Sequence, residues 1–366
     1  MANREANGME SSRAIAGRVT TSAPSSPPLR AGVVGMGRVG HRRAKCIADH
    51  PALELSAVCD IDPGQAEQWP NVRFTTDYRE LIAEDLDLVF VCTYNNAAPL
   101  VVVEGLRSGK HMFCEKPPGR NVADVEKIVA VERANPGLKL KFGFNHRYHH
   151  SVMEAKRMID SRRFGRILWM RGVYGKCGGI RFENEWRNDQ NIAGGGILLD
   201  QGIHMLDLFR FFCGDFTDVK SMVSTAYWNT PLEDNAFAIL NNPQGQVALL
   251  HSSATQWKHR FALEICLEDG YINLEGILSS TRSYGDETLT FARKQFEDTS
   301  RAFGRPREEC IYFDTDESWA LEVADFVECI REDRPVLSGN SYDSLRVMQL
   351  IERIYGEGRC QQRHAA

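Results

Sequence analysis

Up to residue 146 the chain alternates between short, almost continuously apolar runs and longer segments in which apolar residues recur every three or four positions. The short runs predict buried strands, and the longer segments predict the helices between them. The predicted strands are 29–34, 53–59, 72–74, 86–92, 111–114 and 138–144, and the predicted helices are 39–47, 78–83, 99–107 and 122–134. This order is typical of a doubly wound parallel sheet, which binds ligands at the carboxyl ends of its strands.

Beyond residue 146 the pattern changes. Residues 151–161 and 197–213 predict helices, and long alternating runs follow, of which 261–268 is the clearest. Two further runs, 235–242 and 246–255, flank an Asn-Pro-Gln-Gly turn and predict a hairpin. We therefore expect an α/β protein: a Rossmann dinucleotide-binding domain followed by an α/β domain with an open, mainly antiparallel sheet.

The predicted organisation is a disordered tail over 1–28, a Rossmann domain over 29–146, a substrate-binding and oligomerisation domain over 147–340, a helix over 341–358 that packs back on the first domain, and a tail over 359–366. The first 28 residues are rich in Ser, Pro and Ala and lack an apolar core segment, which argues against a secretory signal. A transit peptide is the alternative, and Glu5 and Glu10 disfavour it.

A glycine-rich loop follows the first predicted strand: Val-Val-Gly35-Met36-Gly37-Arg38-Val39-Gly40. Gly35 would allow a sharp turn, Gly37 a close approach of the pyrophosphate, and Gly40 tight packing of the next helix on the strand. The free amides at the helix start would then bind the pyrophosphate. We predict that this loop, residues 35–40, binds a dinucleotide.

Asp60 ends the second predicted strand, twenty residues after the last glycine of the loop. A carboxylate at this position accepts hydrogen bonds from the ribose hydroxyls and repels a 2′-phosphate, so NAD is favoured over NADP. The alternative is that Asp60 only opens the turn that Asp62 continues.

The composition of the chain excludes some classes of partner. The 366 residues are 43% hydrophobic with a net charge of -5, basic and acidic residues are interspersed, and no apolar run is long enough to cross a membrane. We therefore expect neither a nucleic-acid partner nor a membrane partner. The ten cysteines form no CxxC pair, which favours reduced thiols in the cytoplasm over disulfides or a zinc site.

Polar residues follow two of the predicted strands and mark one helix. Thr93 and Asn95 come after the fourth strand, and Glu115 and Lys116 after the fifth; we predict that all four contact the cofactor. Asp200, His204 and Asp207 recur at helical spacing on an otherwise apolar helix, so this stripe is expected to face a polar cleft.

Four ordered motifs carry a family resemblance: the GxGxxG loop, a Thr-x-Asn turn at 93–95, Gly-Lys-His leading into Glu-Lys-Pro at 109–117, and the Gly-rich segment 194–204 ending in Asp-x-x-x-His. From about residue 30 to 358 the chain resembles the Gfo/Idh/MocA oxidoreductases. The resemblance implies a two-domain NAD(P)-dependent oxidoreductase of sugars, polyols or nucleotide-linked sugars. It also implies a homo-oligomer, a dimer or tetramer, through the second sheet. The chain departs from the family pattern at Tyr94 and Ala98, where a proline and a histidine are usual.

By this resemblance Lys116, Asp200 and His204 are catalytic. Hydride transfer from an alcohol requires a proton acceptor, which suits His204, while Lys116 can donate a hydrogen bond to the reacting oxygen and Asp200 can orient its partners. Whether Lys116 or His204 accepts the proton stays open. The structural alternatives are a Lys116–Glu115 ion pair and a core Asp–His pair. No third ligand falls at a suitable spacing, so no metal site is predicted.

Further candidates for substrate contact follow the sixth strand or lie between the second-domain sheet and the Asp–His helix: Asn145, Arg147, Tyr174, Lys176, Trp186 and Arg187. They could hydrogen-bond or stack on a sugar ring, and the Arg and Lys side chains also suit a phosphate or carboxylate. Surface-loop positions are the alternative. Three functions remain: a sugar or polyol dehydrogenase, an NAD-retaining glycosidase or lyase with transient redox, and a nucleotide-sensing regulator, which we expect least.

Overall fold

The computed structural model describes residues 26–295 and 304–362. The predicted tail over 1–28 lies outside these residues except for its last three positions. The predicted tail over 359–366 is helical as far as Gln362, since the last helix continues to that residue.

Within the described residues, six parallel strands form the first sheet, in the order β3-β2-β1-β4-β5-β6. They are β1 (Leu29–Val34), β2 (Leu53–Cys59), β3 (Arg73–Thr75), β4 (Leu88–Val91), β5 (His111–Glu115) and β6 (Leu140–Gly143). The order reverses between β1 and β4, and ligands of such sheets bind in the crevice at this reversal. The predicted Rossmann sheet is confirmed.

Helices cover both faces of this sheet because its strands are apolar on both sides. The connecting helices are α1 (Arg38–Asp49), α2 (Tyr78–Ala83), α3 (Ala98–Arg107) and α4 (Val122–Ala134). Within β4, Phe90 packs towards α1, whereas Val89 and Val91 pack towards α2 to α4.

A helix from the end of the chain, α8 (Ser318–Arg331), also covers the first sheet. Its Phe326 packs against Phe90 and Phe113 in the same core cluster as α1. This differs from the predicted division, which placed residues up to 340 with the second domain. The apolar stripe of the helix indicated a buried face, but a stripe does not show which sheet it covers.

The second sheet has the order β14-β13-β12-β11-β7-β10-β9-β8. Its strands are β7 (Ile167–Cys177), β8 (Asp218–Ser224), β9 (Asn235–Asn241), β10 (Val247–Ser253), β11 (Thr255–Leu267), β12 (Gly270–Glu275), β13 (Glu287–Arg293) and β14 (Glu309–Phe313). Among the described strands of this second sheet, only β7 and β10 pair in parallel, so the expected mainly antiparallel sheet is confirmed. The predicted hairpin is β9 and β10.

The remaining helices are α5 (His150–Asp160), α6 (Gln190–Ala193), α7 (Ile203–Cys213) and α9 (Ser341–Gln362). Helices α5 and α7 pack on one face of the second sheet. Helix α9 contacts β8 as well as α4 and β6, so it joins the two domains. No helix in 26–295 or 304–362 is both long and apolar enough to span a bilayer.

The predicted helix 197–213 has two parts. A π-helical turn over Leu198–Gly202 precedes α7, and such turns are frequent at functional sites. The Glu233 carboxylate accepts hydrogen bonds from the backbone amides of Gly196 and Leu198 at 3.0 Å each, which stabilises the entry to this turn. As a result, Asp200 lies on the π-helical turn, whereas His204 and Asp207 lie on α7.

Candidate active site

The glycine loop has the geometry that its sequence predicts. Gly35 has a φ of 93°, and a Cβ on it would lie 2.6 Å from the Cys92 carbonyl oxygen. A Cβ on Gly40 would lie 1.8 Å from the Gly35 carbonyl oxygen, so α1 could not pack this closely with any other residue. Gly37 caps α1 and faces open space. Free amides of Arg38 and Val39 in the first helical turn are thus accessible to an anion.

Asp60 connects this loop to the end of β2. Its carboxylate accepts a hydrogen bond from the Met36 amide at 2.6 Å and another from the Asp62 amide at 2.9 Å. The bond from the Asp62 amide is the contact expected if Asp60 only opens the turn. The bond from the Met36 amide holds the carboxylate beside the glycine loop. Asp60 therefore has both the turn geometry and the position that a ribose contact requires.

The loop after β4 joins the two domains. The Asn95 side-chain amide donates to the Ala193 carbonyl oxygen at 2.8 Å, and the Tyr94 ring packs on Trp186 with 4.8 Å between centroids. The Thr93 hydroxyl donates only a long hydrogen bond, 3.4 Å, to the Tyr94 carbonyl oxygen. This loop fixes the second domain next to the crevice of the first sheet.

Glu115 does not pair with Lys116. Its carboxylate accepts a hydrogen bond of 2.6 Å from Arg43 Nε, and Arg43 also pairs with Glu322 of α8. The guanidinium of Arg43 is fully buried. The sequence analysis missed Arg43 because a lone arginine on an amphipathic helix gives no signal that it points inward. Glu115 is therefore held in an internal ion-pair network at the end of β5.

Lys116 reaches across to the second domain instead. Its ammonium donates to the Asp200 main-chain oxygen at 2.6 Å and lies 3.9 Å from the Asp200 carboxylate. Burial lowers the pKa of the Lys116 ammonium from its usual value, although Asp200 opposes the shift. The structure thus brings together the lysine at the end of β5 and the aspartate of the π-helical turn.

Three cations surround the Asp200 carboxylate. Lys176 donates to it at 2.8 Å and Arg187 at 3.3 Å, and Lys116 is the third. Burial alone would raise the pKa of this carboxyl, but Lys176, Lys116 and Arg187 outweigh burial and hold the pKa well below its usual range. Asp200 is therefore ionised throughout the ordinary pH range.

His204 is buried and stacks on His146. Their ring centroids are 3.7 Å apart with planes inclined by 20°, and Nδ1 of His204 has no hydrogen-bond partner within the described residues. Burial lowers the pKa of His204 well below its usual value, and Lys116 and His149 lower it further. His204 is therefore neutral at pH 7, with one ring nitrogen that can accept a hydrogen bond.

His146 was missed by the sequence analysis, although both of its neighbours were predicted to contact substrate. Its Nε2 hydrogen-bonds the Tyr174 hydroxyl at 3.2 Å, and its Nδ1 hydrogen-bonds Asn145 at 3.2 Å. Asn145 and Tyr174 thus lie behind the histidine pair and are themselves buried. The position of Asn145 after β6 could be predicted, whereas Tyr174 lies within β7, and the ring contact between His146 and His204 could not be predicted.

Arg147, which was predicted to contact the substrate, binds internal carboxylates instead. Its guanidinium forms a buried ion pair with Asp207, with hydrogen bonds of 2.6 and 2.8 Å, and a further bond of 2.8 Å to Asp343 of α9. All of these donors are directed at internal carboxylates, so the geometry does not support a substrate contact. Asp207 is likewise not in the cleft, because its carboxylate is fully buried against Arg147.

Trp186 and Arg187 lie on a short 3-10 turn beside Asp200. The Arg187 guanidinium lies over the Trp186 ring at 4.5 Å, and its side chain is 32% exposed. Of the sequence-predicted substrate contacts, Lys176, Trp186 and Arg187 therefore meet around Asp200 and Lys116. No group of three metal-binding side chains occurs in the described part of the chain.

Two family models match this chain. Residues 29–141 match the model described as an oxidoreductase family with an NAD-binding Rossmann fold, and residues 152–273 match the GFO/IDH/MocA C-terminal domain. The chain belongs to the GFO/IDH/MocA family of oxidoreductases.

Characterised GFO/IDH/MocA relatives are similar over part of their length. Inositol 2-dehydrogenase of Salmonella paratyphi B is 32% identical over 224 residues, which are 59% of this chain and 62% of the relative. Levoglucosan dehydrogenase of Pseudarthrobacter phenanthrenivorans is 28% identical over 234 residues, 59% of each protein. Both alignments thus span less than two thirds of the relative.

A solved structure of levoglucosan dehydrogenase in complex with NADH and levoglucosan superimposes with a TM-score of 0.80. It is 21% identical, and the match covers 91% of this chain and 97% of that one. At this identity the match shows a shared GFO/IDH/MocA fold over nearly the whole chain.

The two departures from the GFO/IDH/MocA pattern have visible structural consequences. Ala98 is the first residue of α3 and is buried in the core, so its position offers no polar group to the cleft. Tyr94 is 43% exposed and packs on Trp186. An aromatic pair thus lies at the junction of the domains.

Proposed function

We propose that this GFO/IDH/MocA protein is an NAD-dependent dehydrogenase that transfers a hydride between nicotinamide and a secondary alcohol or ketone of a sugar or polyol. The observation that carries the proposal is the meeting of Lys116, Asp200 and His204 where the two domains join. Lys116 directly follows β5 of the nucleotide-binding sheet, and Asp200 and His204, both close to it, come from the second domain. A substrate held there would lie at the edge of the sheet that carries the glycine loop.

NAD would supply the hydride acceptor in this reaction. The residues of the chain then have separate tasks. Lys116 donates a hydrogen bond to the alcohol oxygen and stabilises its developing negative charge. Either Lys116, whose pKa burial lowers, or His204 accepts the hydroxyl proton on oxidation and returns it on reduction. Asp200 holds the Lys116 ammonium in place.

Residues 35–40 and Asp60 would bind the cofactor. The amides at the start of α1 suit the pyrophosphate, and the Asp60 carboxylate suits the adenosine ribose hydroxyls. A 2′-phosphate beside this carboxylate would be repelled, so we propose NAD over NADP. Thr93, Asn95 and Lys116 are proposed to lie near the nicotinamide end, because they follow the neighbouring strands β4 and β5. Glu115 is bonded to Arg43, so its carboxylate is not proposed to contact the cofactor.

Net oxidation of the substrate agrees better with the activities of the similar proteins than glycoside hydrolysis or elimination with retained NAD does. The similar proteins named above are dehydrogenases of inositol and levoglucosan. Nucleotide-linked sugars remain candidates within the dehydrogenase proposal.

We also propose that the protein is a homo-oligomer, a dimer or tetramer, in the cytoplasm. The face of the second sheet opposite α5 and α7 exposes Trp169, Phe237, Ile239 and Leu249 on adjacent strands. Contiguous apolar patches of this kind mark protein interfaces, and a second copy of the same face is the proposed partner. Buried reduced thiols such as Cys59 and Cys114 favour the cytoplasm.

The direct test is NADH formation by the purified protein with a panel of sugars, inositols, sugar acids, sugar phosphates and nucleotide sugars. We expect at least one to reduce NAD, with NADP used less well. Tight NAD retention with product formation but no net NADH would instead favour the glycosidase or lyase reaction. Failure of NAD to bind would exclude the proposal.

A further inference from the structure

We propose, resting on the dehydrogenase function above, that the substrate carries an anionic group, a carboxylate or a phosphate, which Lys176 and Arg187 bind beside the reacting hydroxyl. Relatives named for inositol and levoglucosan act on uncharged compounds. The cleft of this chain is more positively charged than such a substrate needs.

Positive charge is concentrated around Asp200. Three cations, Lys116, Lys176 and Arg187, surround the single carboxylate of Asp200. The next carboxylate is Glu185, which lies 3.7 Å from the Arg187 guanidinium and is 44% exposed. Glu185 is thus only a loose counter-charge for Arg187, and Lys176 has no carboxylate partner besides Asp200 within the described residues.

The other ionisable groups add no counter-charge beside Lys176 and Arg187. Glu115 acts on Lys116, whose pKa it raises, and is bonded to Arg43, which it shares with Glu322. The hydroxyls of Tyr174 and Tyr284 stay protonated, because burial raises the pKa of Tyr284 to about 12 and that of Tyr174 well above its usual value. His204 is neutral at pH 7. His259, which lies near Lys176, is neutral as well, because burial lowers the pKa of its imidazole.

Lys176 and Arg187 also have donors to spare. Lys176 has three N–H groups, and its hydrogen bond in the structure is a single one, of 2.8 Å, to Asp200. Arg187 bonds Asp200 through Nε and reaches Glu185 only loosely through one terminal nitrogen. Their side chains are 23% and 32% exposed, so both are partly desolvated yet open to the cleft. A guanidinium fork and an ammonium are suited to a carboxylate or phosphate.

The position of the anion follows from the contacts of Asp200. Lys116 lies at its main-chain oxygen and near Oδ1, Arg187 bonds Oδ1 as well, and Lys176 binds Oδ2. The charge of Lys116 lowers the pKa of His204, so these two side chains lie close together and mark the place for the reacting hydroxyl. The anionic group would then bind the remaining donors of Lys176 and Arg187, where the Trp186 ring under the Arg187 guanidinium offers an apolar surface to the sugar.

The test compares matched substrates on the full-length protein with NAD. Glucose, glucuronate, gluconate and glucose 6-phosphate, and the corresponding galactose series, are measured for kcat/KM at low and high salt. We expect the anionic members to exceed their neutral parents by about 10-fold or more, with the advantage falling as salt rises. The acid and phosphate arms identify which anion is bound.

Arg187→Gln and Lys176→Met supply the residue-level readout. Each is expected to lower kcat/KM for the anionic substrate by about 10-fold to 100-fold, mainly through KM, and to change kcat/KM for a neutral substrate by much less. Arg181→Gln, an exposed arginine in the same segment, is the matched control. NAD titration of every variant checks that the fold is intact.

The outcomes separate the two proposals. The anionic-substrate proposal would be overturned if neutral sugars had the same kcat/KM as their acids and phosphates, and if Arg187→Gln affected both classes alike. The dehydrogenase proposal would then remain intact. NAD binding without reduction by any member of either series would contradict both.

Discussion

The imidazole rings of His146 and His204 stack face to face, 3.7 Å apart, inside the second domain. Burial is the main cause that lowers the pKa of His204, and Lys116 and His149 lower it further. The Tyr174 hydroxyl hydrogen-bonds His146. Two stacked imidazoles this close cannot both be protonated without repulsion. Accordingly, burial and then His204 lower the pKa of His146 well below its usual value.

The histidine pair predicts how stability depends on pH. An unfolded histidine binds its proton near pH 6.5, whereas the folded pair resists protonation, so folding is fully stabilised above pH 6.5 and weakens as the pH falls. Each such histidine contributes up to about 1.4 kcal/mol per pH unit. Replacing His146 by Phe keeps a flat ring and removes one of these groups. We expect a shallower fall in the free energy of unfolding between pH 6.5 and 5, measured by urea denaturation; an unchanged slope would contradict the assignment.

Asp60 is predicted to set the cofactor preference. Replacing it with Ala removes the carboxylate that repels a 2′-phosphate and that accepts the Met36 amide. We expect KM for NAD to rise and the ratio of kcat/KM for NAD over NADP to fall by about 10-fold or more. Asp49→Ala, an exposed carboxylate at the end of α1, is the control. An unchanged ratio would exclude the ribose role.

Arg43 is predicted to stabilise the junction of α1, β5 and α8. Burial and the repulsion of Glu115 raise the pKa of Glu322 to about 7, although Arg43 opposes both. Arg43→Met leaves two buried carboxylates without this cation and should cost about 3–5 kcal/mol of unfolding free energy. The double variant Arg43→Met/Glu322→Gln should recover part of the loss. A cost below about 1 kcal/mol would show that the network contributes little.

The exposed sheet face is predicted to hold the oligomer together. Ile239 is 53% exposed and pairs in register with Leu249 of the next strand. Ile239→Glu places a charge in this apolar patch and should reduce the mass seen by light scattering after size-exclusion chromatography. Ile180→Glu, an exposed apolar residue outside the sheet, should leave the mass unchanged. A wild-type monomer at micromolar concentration would contradict the proposed assembly.

The first domain could be predicted closely because each of its strands is apolar on both sides. Strand β2 and helices α2 and α4 have the predicted bounds. Strands β4 and β6 are shorter than their apolar runs, since residues such as Leu86 and Leu138 pack without joining a ladder. In the second sheet, bounds could be predicted only for the runs that match β9, β10 and β11. Strand β14 was missed because it is an edge strand whose residues are mostly exposed and show no alternation.

The site was harder to predict, for a physical reason. Periodicity places charged residues on a face, but only tertiary structure decides what that face meets. Lys116 and Asp200 come together as expected from the family resemblance. Arg147 and Asp207 instead satisfy each other in the interior. His146 has no sequence pattern that distinguishes it from a surface histidine.

The central claim is that Lys116, held by Asp200, acts on the substrate oxygen and not on cofactor binding alone. The most direct measurement is kcat and the NAD dissociation constant of Lys116→Met, with the exposed Lys127→Met as control. We predict a loss of at least about 100-fold in kcat with NAD binding changed by less than about 3-fold. A variant that keeps most of its kcat, or that loses activity only because NAD no longer binds, would contradict the account.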